Sequence, residues 1–552
     1  MASPSLQQPV DLVDVAGQPL RGRNSMAATR SVHAGADTLD PDLASWNPVL
    51  QSPDVELLPE WENLVARTRD ITRNHGFASG AVQTHLDNII GNGLRLVAKP
   101  DWRALGQSAE WAAEWSRIVE SAWRQYADDI DCYCDAGQQQ NFSGLLSQGY
   151  RSYMVSTELL SVLEWLPDRA PGKYATAVQM VLPDRLENPY GAADRYNLRG
   201  GVELGDYHVP LAYHFRQAHR SEAGWMGGPG AMSWVRVPRS TPHGRRRVIH
   251  IFEAESSDQT RGKPGFVSVL AQMRTLDRYQ KSALQAAIVN AMYAAVIESS
   301  MPGEDVAAAM GGAITGNTEN AFQAYMGLKK KFGEKNGHAT YQGARVTHLL
   351  PGEQFKLLAA EHPTASYAEF ESATLRHIAA GLNMSYEQLS RDYSKTNYSS
   401  ARASMLEGWR FFAGRRDRVA GRFATLIYAA WLEEAMDRGD VPVPANAPSF
   451  SAAKTAWTRC NWIGAPRGHI DELKEREARQ VAYDMHTTTL ERECAEAGLD
   501  WEEVLEQRAR ESDRMRELNI DPSTLISKSR RNDLLAADSD QADARETEQA
   551  SA

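Results

Sequence analysis

Cysteine is scarce in this chain, with four in 552 residues, and the four make no recognisable pattern. Cys132 and Cys134 form a C-x-C without a histidine at zinc spacing, and Cys460 and Cys494 stand alone. Reduced cysteines are the expected reading, with no disulfide and no metal. Long apolar runs are missing too. The nearest approach, Leu284 to Ile297, falls short of the roughly 18 residues of a membrane span and carries Asn290. The N-terminus lacks the basic-then-apolar order of a signal peptide, so no membrane partner is expected. Nor is there an excess of positive charge. Lys and Arg number 60 against 71 Asp and Glu, a net charge of −11. A protein that grips duplex DNA tightly is usually basic, because phosphate neutralisation supplies the affinity. A static DNA clamp is therefore disfavoured. A conduit tolerates acidity, since a wall that attracted phosphates would slow transport, and so does a protein that never meets DNA.

The signatures of chemistry are absent as well. No G-x-x-x-x-G-K-[ST] phosphate loop occurs. The closest string, RGKPG at Arg261 to Gly265, places Pro264 where a Mg²⁺-binding hydroxyl belongs. There is no G-x-S-x-G and no H-E-x-x-H. Gly91 and Gly93 follow a helical pattern and lack the third glycine of a dinucleotide site. His208, His214 and His219 lie in a β-type region without ligand spacing. No catalytic residue and no cofactor is expected.

What is present is mainly α, with a smaller mixed α/β region. Residues 1–50 are rich in Pro, Ser, Gln and Gly and read as an extended or mobile arm. Helical periodicity then covers Trp61 to Arg73, Gly80 to Ile90, Ala109 to Ala127 and Phe142 to Leu166. From Ala177 to Phe252 short β-type runs alternate with Gly and Pro. Arg245, Arg246 and Arg247 open one of these runs and read as a solvated edge, with nucleic-acid contact as the other reading. A long helix is expected from Phe266 to about Ser299, Ala-rich in its second half and stopped by Pro302 and Gly303. Residues 300–363 are Gly-rich and irregular, with the cluster Lys329, Lys330 and Lys331 and a β-like piece from Ala344. A second helix begins at a capping box of Ser366 and Glu369 and runs to Leu382. The polar loop Ser390 to Ser400 leads into the longest helix, Ala401 to Arg438. Met405, Trp409, Phe412, Val419, Phe423, Leu426 and Ala430 form a core stripe there, with Arg416 its one charged member. Two further caps are read at Thr488 with Glu491 and at Asp500 with Glu503, and a polar, disordered tail from Ser527.

Several of these stretches together, in this order, resemble the lambda-type phage portal proteins over about residues 25–520. They are ARTRDITRNHGFASGAVQTHLDNIIGNGLRLVAKPDWRALG (Ala66 to Gly106), HIFEAESSDQTRGKPGFVSVLAQMRTLDRYQ and its continuation (His250 to Ser299), MSYEQLSRDYSKTNYSSARASMLEGWRFFAGRR (Met384 to Arg416), and TTTLERECAEAGLDWEEV (Thr487 to Val504). The resemblance implies a portal fold of wing, stem, clip and crown that assembles into a ring, in the family typically dodecameric. It implies an arm at 1–50, a wing at 51–263, a descending stem helix at 264–299, a clip at 300–363 and a returning stem helix at 364–383. A tunnel loop follows at 384–400, then the long helix and wing return at 401–465, crown helices at 466–525 and a tail at 526–552.

By the same resemblance the ring sits at a capsid vertex, assembled in the host cytoplasm. It passes double-stranded DNA transiently and without sequence preference. It docks the large terminase subunit and, after filling, head-completion or connector proteins, and it contacts major capsid and scaffold proteins. Arg391, Lys395, Asn397, Tyr398 and Ser399 are the expected DNA-facing residues of the tunnel loop, where hydroxyl, amide and cationic groups can touch phosphates without reading bases. A solvated Lys395, with Arg391 paired to Asp392 or Glu387, is the other reading of that loop. Lys329, Lys330 and Lys331 either line the clip or are solvated. Trimming near the N-terminus during maturation is a further expectation. The competing functions are a ring-forming neck or tail protein and a DNA-processing enzyme. The missing phosphate loop argues against the second, and the stem–clip–stem order against the first.

Overall fold

The computed structural model describes residues 33–37, 40–222, 232–292, 296–299, 327, 330–331, 339–341, 344–346, 353–356, 364–394, 396, 398–466 and 472–520. Helices α1 (Pro53–Leu57), α2 (Trp61–Asn74) and α3 (Gly76–Ile89) are followed by strand β1 (Arg95–Ala98) and helix α4 (Ala109–Ala127). Helix α4 follows directly from its residues. Ser108 caps it by accepting from the Trp111 N–H at 3.2 Å, and Ala112, Trp115, Val119, Trp123 and Tyr126 recur at three- and four-residue steps, all buried. Asn141 caps α5 (Phe142–Ser156) in the same way.

The helix expected from Phe142 to Leu166 is half helix and half strand. It ends at Ser156, Thr157 takes a positive φ of 81°, and β2 (Leu159–Trp165) begins. Leu159 to Leu163 are all buried, and a short apolar run of this kind carries no period to separate helix from strand. Strands β3 (Thr176–Met180), β4 (Leu198–Arg199), β5 (Val202–Leu204), β6 (Pro210–Arg216), β7 (Trp234–Pro238) and β8 (Val248–Ile251) form the β region. They make a three-stranded antiparallel sheet in the order β3-β2-β8 and a four-stranded meander, β4-β5-β6-β7. Leu160, Val162, Val181, Val202, Tyr213, Phe215 and Val248 fill a small core of their own. Arg245 to Arg247 are tied inward rather than solvated. Arg245 lies over Trp165 and donates to Thr176 Oγ1, burial pushes the Arg246 guanidinium pKa down, and Arg247 reaches Glu164 at 3.7 Å.

Helix α6 (Leu270–Met292) follows a short 3-10 turn, Val267–Val269. The helix expected to reach Ser299 instead gives way to β9 (Val296–Ser299). Strands β10 (Ala339–Tyr341) and β11 (Ala344–Val346) pair as a hairpin, and β12 (Glu353–Lys356) pairs antiparallel with β9. Val296 and Ile297 are β-branched, and a partner strand more than fifty residues away overrides their helical spacing. Helix α7 (Thr364–Gly381) starts before Ser366, so that serine lies inside the first turn and not at the cap.

A short helix α8 (Tyr386–Ser390) precedes α9 (Tyr398–Arg415), which passes through a π-helical turn at Arg416–Gly421 into α10 (Arg422–Arg438). The expected long helix is thus a composite about 60 Å long at ~1.5 Å per residue. Helix α10 is buried nearly all round and forms the axis of the main core, where Trp123, Tyr126, Phe142, Tyr428, Trp431 and Trp462 pack with centroids 4.9–6.3 Å apart. Helix α11 (Lys454–Trp457) and strand β13 (Cys460–Ile463) complete it, and β13 pairs with β1. Helices α12 (Glu472–Asp484), α13 (Leu490–Glu496) and α14 (Trp501–Glu517) close the described chain. The expected cap at Thr488 sits one residue later. Thr489 accepts from the Arg492 N–H, while Thr488 donates to Glu493. Asp500 does cap α14, but Glu503 turns to Arg95 and Arg124 instead of back to the cap.

Two buried carboxylates tie these layers together. Glu434 on α10 accepts from the Ala175 and Thr176 N–H groups and from Thr176 Oγ1, joining the core helix to β3. Glu158 meets Arg261 at 2.8 Å and His250 at 3.3 Å. Burial pushes its carboxyl up, and Arg261 and His250 more than reverse this, holding it at about 2. Arg261 also donates to the carbonyls of Pro183, Leu186 and Gly200 and lies over Trp61. The string nearest to a phosphate loop is therefore an internal brace.

Candidate nucleic-acid interface

The polar loop expected to face DNA hangs between α7 and α9. Its upstream side is built by two left-handed residues. Asn383 (φ 54°) ends α7 in a Schellman arrangement: the Met384 N–H donates to the Ala379 carbonyl at 3.0 Å and the Asn383 N–H to Ala380 at 3.1 Å. Helix α8 then starts with a capping box. Ser385 Oγ accepts from the Gln388 N–H, and Gln388 Oε1 accepts from the Ser385 N–H at 3.1 Å. Arg391 (φ 59°) ends α8 after a single turn and a half.

This platform is pinned to α3 at two points, and its Leu389 is buried. His85 Nε2 lies 3.1 Å from the Leu382 carbonyl, and Arg391 Nη2 donates to Thr84 Oγ1 at 3.0 Å. His85 is enclosed between α3, the end of α7 and the rings of Phe411 and Phe412. Burial pulls its pKa down to about 4, so it is neutral at physiological pH. The loop therefore springs from a rigid base. Asp392, Tyr393 and Ser394 are exposed, and the Ser394 N–H closes on Asp392 Oδ1 at 3.0 Å.

Of the residues singled out in the sequence, Arg391 is exposed yet tethered to Thr84. Lys395 and Asn397 lie outside the described residues. Tyr398 and Ser399 belong to the first turn of α9, which begins three residues earlier than its periodicity suggests. Lys329 lies outside the described residues, and Lys330 and Lys331 are exposed on helical backbone. The Ser385-x-x-Gln388 signal for α8 was readable in the sequence. The pairing of Arg391 with Thr84 was not, because the two are 307 positions apart.

Helices α6 and α7 run antiparallel beside this base. Met273 and Leu276 are buried with Leu375 and Ile378, Tyr279 stacks on Tyr367 at 5.5 Å, and Gln280 donates to Glu371 at 2.7 Å. Farther along, Leu284 is 63% exposed and Ile288 46%. Past the end of α6 the β9–β12 pairing brings residues 296–299 beside residues 353–356.

The sequence model of the phage portal protein, lambda family, matches residues 40–416. The chain belongs to that family. The portal protein of Escherichia phage N15 is 39% identical over 91% of this chain and 93% of its own length. Portal protein B of Escherichia phage lambda is 38% identical over the same shares. Among solved structures, a chain from the neck of a native GTA particle computed with C12 symmetry has a TM-score of 0.42 and 14% identity, covering 80% of this chain and 99% of that one. The portal-family match spans the braced Glu158, the α6–α7 pair and the α8 platform, and ends at Arg416.

Arg416 is buried in the π turn that joins α9 to α10. It donates to the carbonyls of Asn88, Ile89 and Ala465 at 2.8–2.9 Å, so one guanidinium closes the C-terminus of α3 and holds the segment after β13. Its neighbours Arg415 and Arg418 both reach Glu253. Among the described residues no group of three His, Cys, Asp or Glu side chains is placed to hold a metal ion, and no helix is long and apolar enough to cross a membrane.

Proposed function

We propose that this portal-family chain assembles into a dodecameric ring at a capsid vertex and forms the channel through which double-stranded DNA enters and later leaves. The observation that carries the reading is the α6–α7 pair, antiparallel, closed beyond α6 by the β9–β12 ribbon, and bearing Leu284 and Ile288 in solvent. Large apolar side chains exposed on an Ala-rich helix suit close packing against ring-related copies. In this reading α6 and α7 are the stem and residues 300–363 the clip, where the large terminase subunit and later the connector proteins dock. The helices from 466 are the crown, and the outer wing faces capsid and scaffold proteins. Ring assembly takes place in the host cytoplasm.

In the same reading residues 384–400 are the tunnel loop. Lys395, Asn397, Tyr398 and Ser399, with Arg391 at its rigid base, give each subunit a small set of exchangeable phosphate contacts. At physiological salt the field of such a belt reaches about 8 Å, so it acts on the duplex passing it and not on the bulk. The ring performs no covalent chemistry, and a separate ATPase supplies the work.

Negative-stain averages of the purified assembly test this. A ring with an axial hole that admits B-form duplex is expected. A chain that stays monomeric under all assembly conditions, or a pore narrower than duplex, ends the reading. Mg²⁺-dependent ATP hydrolysis or DNA cleavage that survived repurification would replace it with an enzyme.

A further inference from the structure

The N-terminal arm and one cleft of the molecule are chemical opposites. From residue 37 to residue 60 the chain carries Asp37, Asp40, Asp42, Asp54, Glu56 and Glu60 and no Lys or Arg. Asp54 is used inside the fold, where it holds Thr260 and Arg199. The others accompany apolar side chains that point into solvent. Trp46 is 69% exposed, Val49 73% and Leu50 99%, on backbone that is neither helix nor strand. Three large apolar residues within five positions, all left in water, mark a surface that is covered in the working state.

The cleft, of about 380 Å³, lies between α2, α5 and the end of β3. Its floor is apolar, with Val82, Val155 and Val181, and Leu182 stands half exposed at its mouth. Arg69, Arg73 and Arg151 line it, and no carboxylate does. Arg69 is already held by Asp184 and Ser156. Arg73 and Arg151 are exposed, and Arg151 gives one hydrogen bond to Gln83.

We propose that the arm of one subunit, centred on Trp46 to Leu50, seats in this cleft on a neighbouring copy, with Asp40 and Asp42 facing Arg73 and Arg151. The inference rests on the ring reading above. An acidic, apolar strap and a basic, apolar cleft on every subunit make a heterologous pair, and such pairs repeat around a closed ring. In the single chain neither half is covered: Trp46, Val49 and Leu50 are in solvent and the cleft is open.

The test uses the full chain assembled into rings. Val49→Cys combined with Leu182→Cys is oxidised and run on a denaturing gel beside each single variant and the unaltered chain. A ladder of covalently joined subunits, specific to the double variant, is expected. Trp46→Ala with Leu50→Ala should raise the concentration needed for half-assembly by about tenfold or more. It should leave the circular dichroism spectrum and Tm of the unassembled chain unchanged, since both side chains are already exposed there. Arg73→Glu with Arg151→Glu should weaken assembly in the same way, and Asp40→Arg with Asp42→Arg should restore part of it. A link confined to single chains would show the strap folding back on its own subunit and overturn the proposal. Rings that form normally with no link at all would also overturn it and leave the ring reading intact. Failure of the unaltered chain to form rings would remove both.

Discussion

Arg416 shows how much of this fold hangs on single side chains. Its guanidinium satisfies three backbone carbonyls from two distant segments, and a Cβ on Gly464 would lie 2.6 Å from its Nε. Arg416→Ala should lower stability by about 2–4 kcal/mol, because the carbonyls lose their donors in a dry site. Gly464→Ala should lower it as well by displacing the guanidinium, and urea unfolding would register both. His85 gives a pH signature. Its folded pKa, about 4, lies below the value of about 6.5 in the unfolded chain, so between these limits the unfolded state binds the extra proton. Stability should therefore fall as pH drops from about 6.5 to about 4, and His85→Gln should flatten that slope. A profile unchanged by the substitution would show that His85 titrates freely. The sequence marked Arg416 only as a misfit in an apolar row, and nothing local announced its carbonyl partners. His85 and Glu158 drew no notice for the same reason: their partners stand 297 and 103 positions away.

Among the elements, the pair α13–α14 is held to β1 and α4 by charge. Lys99 meets Glu491, Arg95 and Arg124 meet Glu503, and Arg117 meets Glu502 at 3.2 Å, with every base on α4 or on β1 and the residue after it, and every acid on the pair. Exposed ion pairs contribute roughly 0–1 kcal/mol each and are screened by salt. Amide exchange in α13 and α14 should therefore accelerate between low and high salt while that of α10 stays slow. Glu120 lies beneath this contact and accepts from the Ala98 N–H at 2.8 Å. Burial, with Asp500 adding to it, pushes its carboxyl up to about 7. Its folded pKa exceeds the unfolded one, so its contribution is present at acid pH and is lost as pH rises toward 7. Glu120→Gln should raise Tm at pH 8 and leave it nearly unchanged at pH 4. Elements with local signals were legible from sequence: α4 was read to the residue, and both C-terminal caps to within one. Elements set by remote pairing were not. Strands β1 and β13 find each other across more than 360 positions, and β9 was read as helix because its partner β12 lies more than fifty residues away.

For the molecule as a whole, the main prediction concerns the exposed face of α6. Leu284→Glu with Ile288→Glu replaces side chains that a single chain leaves in water, so the monomer's stability should move by no more than about 0.5 kcal/mol. Ring formation, followed by sedimentation, should fail. Unimpaired rings would show that this face is not between subunits. The overall class, mainly helical with a mixed β insertion, was visible in periodicity alone, and the family in four ordered stretches of sequence. The candidate loop was legible as a position but not as a mechanism. Its composition suggested a polar segment, whereas the tether at its base comes from a left-handed arginine bonded to another helix.

The π turn at Arg416–Gly421 carries a consequence for any change in chain length. A wider turn absorbs one residue that an α-helix would have to place elsewhere, so it acts as a phase correction between α9 and α10. Deleting one residue there would heal the regular hydrogen-bond ladder and rotate everything on one side by about 100° relative to the other. Trp431 and Glu434 would then leave their seats while every local bond looked ideal. The helix would gain regularity, and the protein would lose its alignment.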